Sequence, residues 1–146
     1  MQTSASRKAI EILLVEDSEV DVLLIREALL HANVLNVLSV VDNGVDALNF
    51  LRRSTKYARA PRPNLILLDL NLPGKDGREV LAEIKESEEF RSIPVLILTA
   101  SESRQDVLRA YGLHANCYIT KPVDFAEFAE IMRSIEDFWL SVVSLP

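Results

Sequence analysis

The chain has few of the residues that build covalent frameworks: among its 146 residues there is a single cysteine, Cys117. A lone thiol excludes an internal disulfide and fits a reducing compartment. Glycine is scarce at four residues and proline at six, and no low-complexity stretch or internal repeat is present. No apolar run approaches the ~18 residues needed to span a bilayer. Residues 1–9 (MQTSASRKA) lack the apolar centre of a signal peptide and are expected to form a short flexible tail. Basic residues are outnumbered, 16 against 22 acids, for a formal charge of −6. That balance argues against long-range attraction to nucleic acid. What is left is one domain over residues 10–146, expected to be cytoplasmic and not membrane-bound. A globule of ~150 residues buries roughly 68–70% of its unfolded surface, so its core needs no metal or disulfide staple.

Short apolar runs alternate with longer amphipathic segments. Ile12–Val15 (ILLV), Leu65–Leu68 (LILL) and Val95–Leu98 (VLIL) lack polar alternation, as strands buried on both faces do. Val37–Val41 and Cys117–Thr120 are weaker strand candidates. Between them, Val20–Leu30 places Val20, Leu23, Leu24, Glu27 and Leu30 on one helical stripe, expected to face the core. Ser18 is placed to cap this helix, with Asp21 in its first turn, where the macrodipole favours a carboxylate. Val45–Arg52, Arg78–Ser87 and Ser103–Tyr111 are also helical in pattern, and Gly112 suits a helix stop. A last helix begins at Asp124, an N-cap candidate, and keeps its spacing through Trp139. Ser54–Asn64 (STKYARAPRPN) is polar and basic, and is expected to be a surface loop. Five strands alternating with five helices give an α/β fold, a doubly wound (βα)5 arrangement with a parallel sheet.

The polar residues fall at the ends of those strands. Glu16 and Asp17 follow the first, Asp69 ends the third, Thr99 ends the fourth and Lys121 follows the fifth. In open α/β sheets the binding crevice lies outside the carboxyl ends of the strands. Three acids, a hydroxyl and an ammonium are therefore expected to converge there. Clustered carboxylates repel one another unless a cation is present. An oxygen-only site with open positions suits Mg²⁺, which keeps several waters. A carboxylate in such a site can act as a nucleophile toward phosphorus. Lys121 would supply a point charge, and Thr99 a hydroxyl donor, for phosphoryl oxygens. Phosphoryl transfer asks mainly for such positioning and charge neutralisation.

ILLVEDS at Ile12–Ser18, LILLDLNLPGKDG at Leu65–Gly77, VLILTAS at Val95–Ser101 and CYITKPVD at Cys117–Asp124 strongly resemble the response-regulator receiver domain of two-component signalling. The resemblance runs from Glu11 to Trp139 with the motifs in order. It implies the flavodoxin-like strand order 2-1-3-4-5, with Asp69 as phosphoacceptor. It also implies that Asp17, Asp69 and the backbone carbonyl of Asn71 bind Mg²⁺ directly, with Glu16 acting through a coordinated water. Thr99 and Lys121 would hold the phosphoryl group, a cis peptide is implied at Lys121–Pro122, and Tyr118 would be the switch aromatic that moves with Thr99. The tail FWLSVVSLP at Phe138–Pro146 and the loop before the third strand resemble the small receivers partnered with cyanobacterial phytochromes. This implies a histidine-kinase photoreceptor as phosphodonor.

Other readings remain beside this one. The set could be a relic, in a pseudo-receiver that is a constitutive interaction module. Aspartyl phosphatases want D-x-D-x-T, whereas Asp69 is followed by Leu70, Asn71, Leu72 and Pro73. A flavodoxin's phosphate loop would conflict with Glu16 and Asp17, and no P-loop pattern exists. No enzyme is therefore expected beyond self-catalysed phosphorylation and dephosphorylation of Asp69, and no DNA-binder. The last helix and tail carry more apolar surface than one side of a sheet needs, which points to a two-fold homodimer. Phe125 and Phe128 are expected in the core or shared interface, and Cys117 as a core filler. His31 and His114 are expected in surface or loop roles. Ser101 occupies a position that tunes phosphoryl lifetime in the family. Lys75, Arg78 and the Lys56–Arg62 loop are expected to be solvated charges.

Overall fold

The computed structural model describes residues 9–99 and 117–143. The five segments singled out as strand candidates all form strands: β1 (Ile10–Val15), β2 (Asn36–Val41), β3 (Leu65–Asp69), β4 (Val95–Thr99) and β5 (Cys117–Thr120). They pair in the order β2-β1-β3-β4-β5, all parallel. Four helices are described, α1 (Glu19–Ala32), α2 (Gly44–Arg52), α3 (Gly77–Glu86) and α4 (Phe125–Val143), with one 3₁₀ turn at Thr55–Tyr57. The helical pattern at Ser103–Tyr111, Gly112, Ser101 and His114 lies outside the described residues.

The three inner strands β1, β3 and β4 are buried along both faces because each feeds two cores. On β1, Leu13 and Val15 point toward α2 and α3, joining Leu48, Leu51, Val80 and Ile84. Ile10, Ile12 and Leu14 point the other way, toward α1 and α4, joining Ile25, Leu29, Phe128 and Met132. This two-sided use explains why β1, β3 and β4 show no polar alternation. Phe128 is fully buried, whereas Phe125 is half-buried and its ring lies 5.6 Å from that of His31. His31 thus sits on α1, exposed, in contact with α4.

The helix starts follow their caps. Ser18 Oγ accepts from the N–H of Asp21 at 3.3 Å, Asn43 Oδ1 accepts from Asp46 at 2.8 Å, and Asp124 Oδ1 accepts from Glu127 at 3.0 Å. α1 and α2 each end on a left-handed residue, Asn33 at φ 58° and Arg53 at φ 55°.

Two expectations are corrected. The inward face of α1 is Ile25, Ala28, Leu29 and Ala32; Val20, Leu23 and Leu30, expected inside, are 66%, 62% and 72% exposed. The stripe failed because Ile25, Ala28, Leu29 and Ala32 form a second set at i, i+3, i+4 and i+7, in which two small alanines carry little weight in an apolar count. The Lys56–Arg62 loop is also not merely solvated. Tyr57 and Ala60 pack on the core, Pro63 is buried, and Arg62 donates to Leu51 O at 2.9 Å and to Glu89 at 2.6 Å. Lys75 likewise pairs with Glu83 at 2.6 Å and Arg78 with Asp76 at 3.0 Å. α4 continues past Trp139 to Val143, but the side chains of residues 138–146 lie outside the described residues, as does that of Cys117.

Candidate active site

Parallel pairing carries the C-terminal ends of β1, β3, β4 and β5 to one rim. Glu16 follows β1 and its N–H donates to Val41 O at 2.9 Å, extending the ladder one residue beyond the strand. Asp69 is the last residue of β3, and Leu70 after it donates to Leu98 O on β4. Thr99 closes β4, and its carbonyl accepts from the backbone N–H of Lys121 at 2.8 Å. That bond ties the segment after β5 to the end of β4. The Lys121–Pro122 peptide is cis.

Glu16, Asp69 and Thr99 are buried, at 1%, 3% and 1% exposure, while Asp17 is exposed. One carboxylate oxygen from each of Glu16, Asp17 and Asp69 lies within 4.8 Å of the others. Lys121 reaches into this cluster. Its Nζ is 2.6 Å from Glu16 Oε1, 3.0 Å from Asp21 Oδ2 and 3.2 Å from Asp69 Oδ2. The second oxygens of Glu16 and Asp69 are held by main chain: Ser18 N–H donates to Glu16 Oε2 at 3.1 Å and Asn71 N–H to Asp69 Oδ1 at 3.0 Å.

Burial pushes the Glu16 carboxyl up to about 7, with the Asp69 charge adding to the effect; Lys121 and the Ser18 N–H pull the other way. Burial also works against the charge on Lys121, but Glu16, Asp21 and Asp69 outweigh it and hold the ammonium above its ordinary range. Lys121 is therefore a fixed cation. One ammonium among the carboxylates of Glu16, Asp17, Asp69 and the nearby Asp21 leaves a net negative rim, which is the electrostatic condition for taking up a further cation.

The donor set fits a hard divalent ion. It is all oxygen, it contains three carboxylates from two strand ends, and exposed Asp17 leaves open positions for water. Buried Glu16 Oε1 has no aligned hydrogen bond despite its ion pair with Lys121, so an acceptor lone pair is still available.

The five residues picked out at strand ends are thus brought to one rim, with Asn71 beside them. Tyr118 lies farther out on β5, paired in register with Ile97, 37% exposed and lining an open groove with Thr120, Glu127, Glu130 and Ile131. Asp21 was missed as a site residue. The only sequence sign was an acid in the first turn of α1, which a helix start explains by itself.

This fold, with paired acids after β1, an aspartate ending β3 and a lysine after β5, defines a receiver, and residues 12–133 match the response regulator receiver domain family. The chain belongs to that family. It is similar to response regulator Rcp1 of Synechocystis sp., at 48% identity over 135 residues covering 92% of each chain. It is also similar to the probable methanogenesis regulatory protein FilR2 of Methanothrix harundinacea, at 40% identity over 88% of this chain and 83% of FilR2. Among solved structures, the phosphorylated cyanobacterial phytochrome response regulator RcpA superposes with a TM-score of 0.78 at 47% identity, covering 95% and 99% of the two chains. The Mn²⁺-bound form of Rcp1 gives 0.77 at 47% identity, covering 94% and 99%. Among the described residues no helix is long and apolar enough to cross a membrane.

Proposed function

We propose that this receiver accepts a phosphoryl group on Asp69 from the phosphohistidine of a sensor kinase, and that the modification switches a protein-interaction face. The observation that carries the reading is the position of Asp69 Oδ2, 3.2 Å from a fixed lysine ammonium and inside a three-carboxylate cluster. A carboxylate oxygen of Asp69 attacks phosphorus; the P–N bond to the donor imidazole breaks, and the imidazole leaves with its electron pair and takes a proton from solvent. Lys121 neutralises one equatorial phosphoryl oxygen, and the Thr99 hydroxyl donates to another. The backbone N–H of Asn71 holds the second Asp69 oxygen in place. Glu16, Asp17, Asp69 and the Asn71 carbonyl would hold Mg²⁺, which when bound supplies charge neutralisation at the transferring group. Thr99, drawn toward the phosphoryl group, would move Tyr118 inward and alter the surface beside β5 and α4.

The likeness to RcpA and Rcp1 supports a cyanobacterial phytochrome as the kinase partner. The extended α4 and the apolar tail support a homodimer whose affinity changes with phosphorylation.

Acetyl phosphate with Mg²⁺ should raise the intact mass by about 80 Da, one HPO₃, and Asp69→Asn should abolish the gain. Modification elsewhere, or no modification, would return the chain to the class of constitutive interaction modules. Phosphotransfer from a phosphorylated cyanobacterial phytochrome, compared with an unrelated histidine kinase, tests the partner. Sizing with and without acetyl phosphate tests the dimer.

A further inference from the structure

Resting on that reading, we propose that Asp21 is a positioning residue for Lys121, giving the ammonium a carboxylate partner outside the trio that would hold the cation. Lys121 donates to Asp21 at 3.0 Å and to Asp69 at 3.2 Å, and forms an ion pair with Glu16 at 2.6 Å. Two of these partners, Glu16 and Asp69, also belong to the metal-type cluster. An ion seated on those oxygens brings like charge against the ammonium and competes with it for the same lone pairs. Asp21 does not belong to the cluster, so its contact survives the arrival of the ion.

The placement of Asp21 suits a tether. It lies in the first turn of α1, whose backbone is fixed at that residue by the Ser18 cap. Its side chain is 27% exposed, against 10% for Lys121, so it approaches the ammonium from the solvent side of the pocket. Without it, a lysine displaced from Glu16 and Asp69 has four rotatable bonds and open water before it. With it, the ammonium stays within reach of a phosphoryl group on Asp69. The cap uses the backbone N–H of Asp21 and not its carboxylate, so removing the charge leaves the helix start in place.

The test compares wild type, Asp21→Asn and Asp21→Glu at saturating Mg²⁺. The first readout is the NMR signal of the Lys121 ammonium in ¹⁵N-lysine-labelled protein, assigned by its absence in Lys121→Met. The second is the rate of phosphorylation by acetyl phosphate. A slowly exchanging ammonium signal in wild type and Asp21→Glu is expected, lost to rapid exchange in Asp21→Asn. The Asp21→Asn rate should fall about three- to tenfold, the range for losing one ordered charged contact, with recovery in Asp21→Glu. An ammonium equally protected in Asp21→Asn would overturn the proposal, whatever happens to the rate. So would an unchanged rate in a protein whose wild type is modified on Asp69. If wild type takes no phosphoryl group at all, the phosphoacceptor reading fails instead, and the ammonium signal still reports on the tether by itself.

Discussion

Gly77 is pressed against the carbonyl oxygen of Asp69: a methyl group on Gly77 would overlap that oxygen and come within 2.6 Å of Leu70 Cα. The Gly77 N–H donates to Leu70 O at 3.1 Å, so the start of α3 is fastened to the end of β3. The obstacle is backbone, which cannot rotate away as a side chain can. Gly77→Ala is therefore expected to destabilise the fold by about 1–3 kcal/mol, the range for overpacking. Because the displaced strand end carries Asp69, phosphoryl acceptance and Mg²⁺ affinity should fall together. Urea unfolding and calorimetric titration measure the two effects; wild-type stability in the variant would show that the contact relaxes freely.

Arg62 joins three parts of the chain that are distant in sequence. It donates to Leu51 O at the end of α2, pairs with Glu89 at 2.6 Å and lies 4.9 Å over the Phe90 ring in the α3–β4 connection. Arg62→Ala is expected to lower stability by about 1–2 kcal/mol through the lost carbonyl bond and cation–π contact. Arg62→Lys should recover only part of this, since an ammonium cannot stack and fork at once. Equal stability of the Lys variant and wild type in urea would refute the stacking contribution.

Glu83 is shared by Lys75 at 2.6 Å and Arg52 at 3.2 Å. The Lys75 hydrogen bond holds its carboxyl below the usual value of 4.5, reinforced by Arg52 and opposed by slight burial. A lowered carboxyl binds fewer protons folded than unfolded, so its stabilisation is present above 4.5 and disappears as pH falls through the folded value. Glu83→Gln should thus melt below wild type at neutral pH, with the gap narrowing once the pH drops under 4.5. Raising salt at neutral pH should narrow it as well, because both partners are near solvent. A gap that is constant across pH would assign the effect to packing.

The site was more legible in the sequence than the helix faces were. Strand-end residues are fixed by register, so once Ile12–Val15, Leu65–Leu68 and Val95–Leu98 are placed in a parallel sheet, Glu16, Asp69 and Thr99 must share its rim. Asp21 was harder to find because an acid in a first turn already has a sufficient local reason to be there. Its contact with Lys121, one hundred residues away, depends on the α1–β5 distance, which no local pattern encodes. Arg62 was misjudged for a related cause. A basic residue in a polar loop looks solvated until the neighbouring carbonyl, carboxylate and ring are known.

The inward face of α1 gives the sharpest contrast between pattern and packing. Leu29 and Leu30 are adjacent in sequence, yet Leu29 is 2% exposed and Leu30 is 72% exposed. Counting apolar residues at helical spacing favours Leu30, since Val20, Leu23 and Leu24 share its stripe. The sheet instead receives Ile25, Ala28, Leu29 and Ala32, a set at the same i, i+3, i+4, i+7 spacing whose two alanines weigh little in an apolar count. Leu29→Ala is expected to cost about 2–5 kcal/mol, as cavity-forming changes in a packed core do. Leu30→Ser should stay within about 0.5 kcal/mol of wild type, as exposed substitutions do. Chemical unfolding of both variants decides the matter, and a reversed order of the two losses would mean that α1 is rotated about its axis relative to the face described.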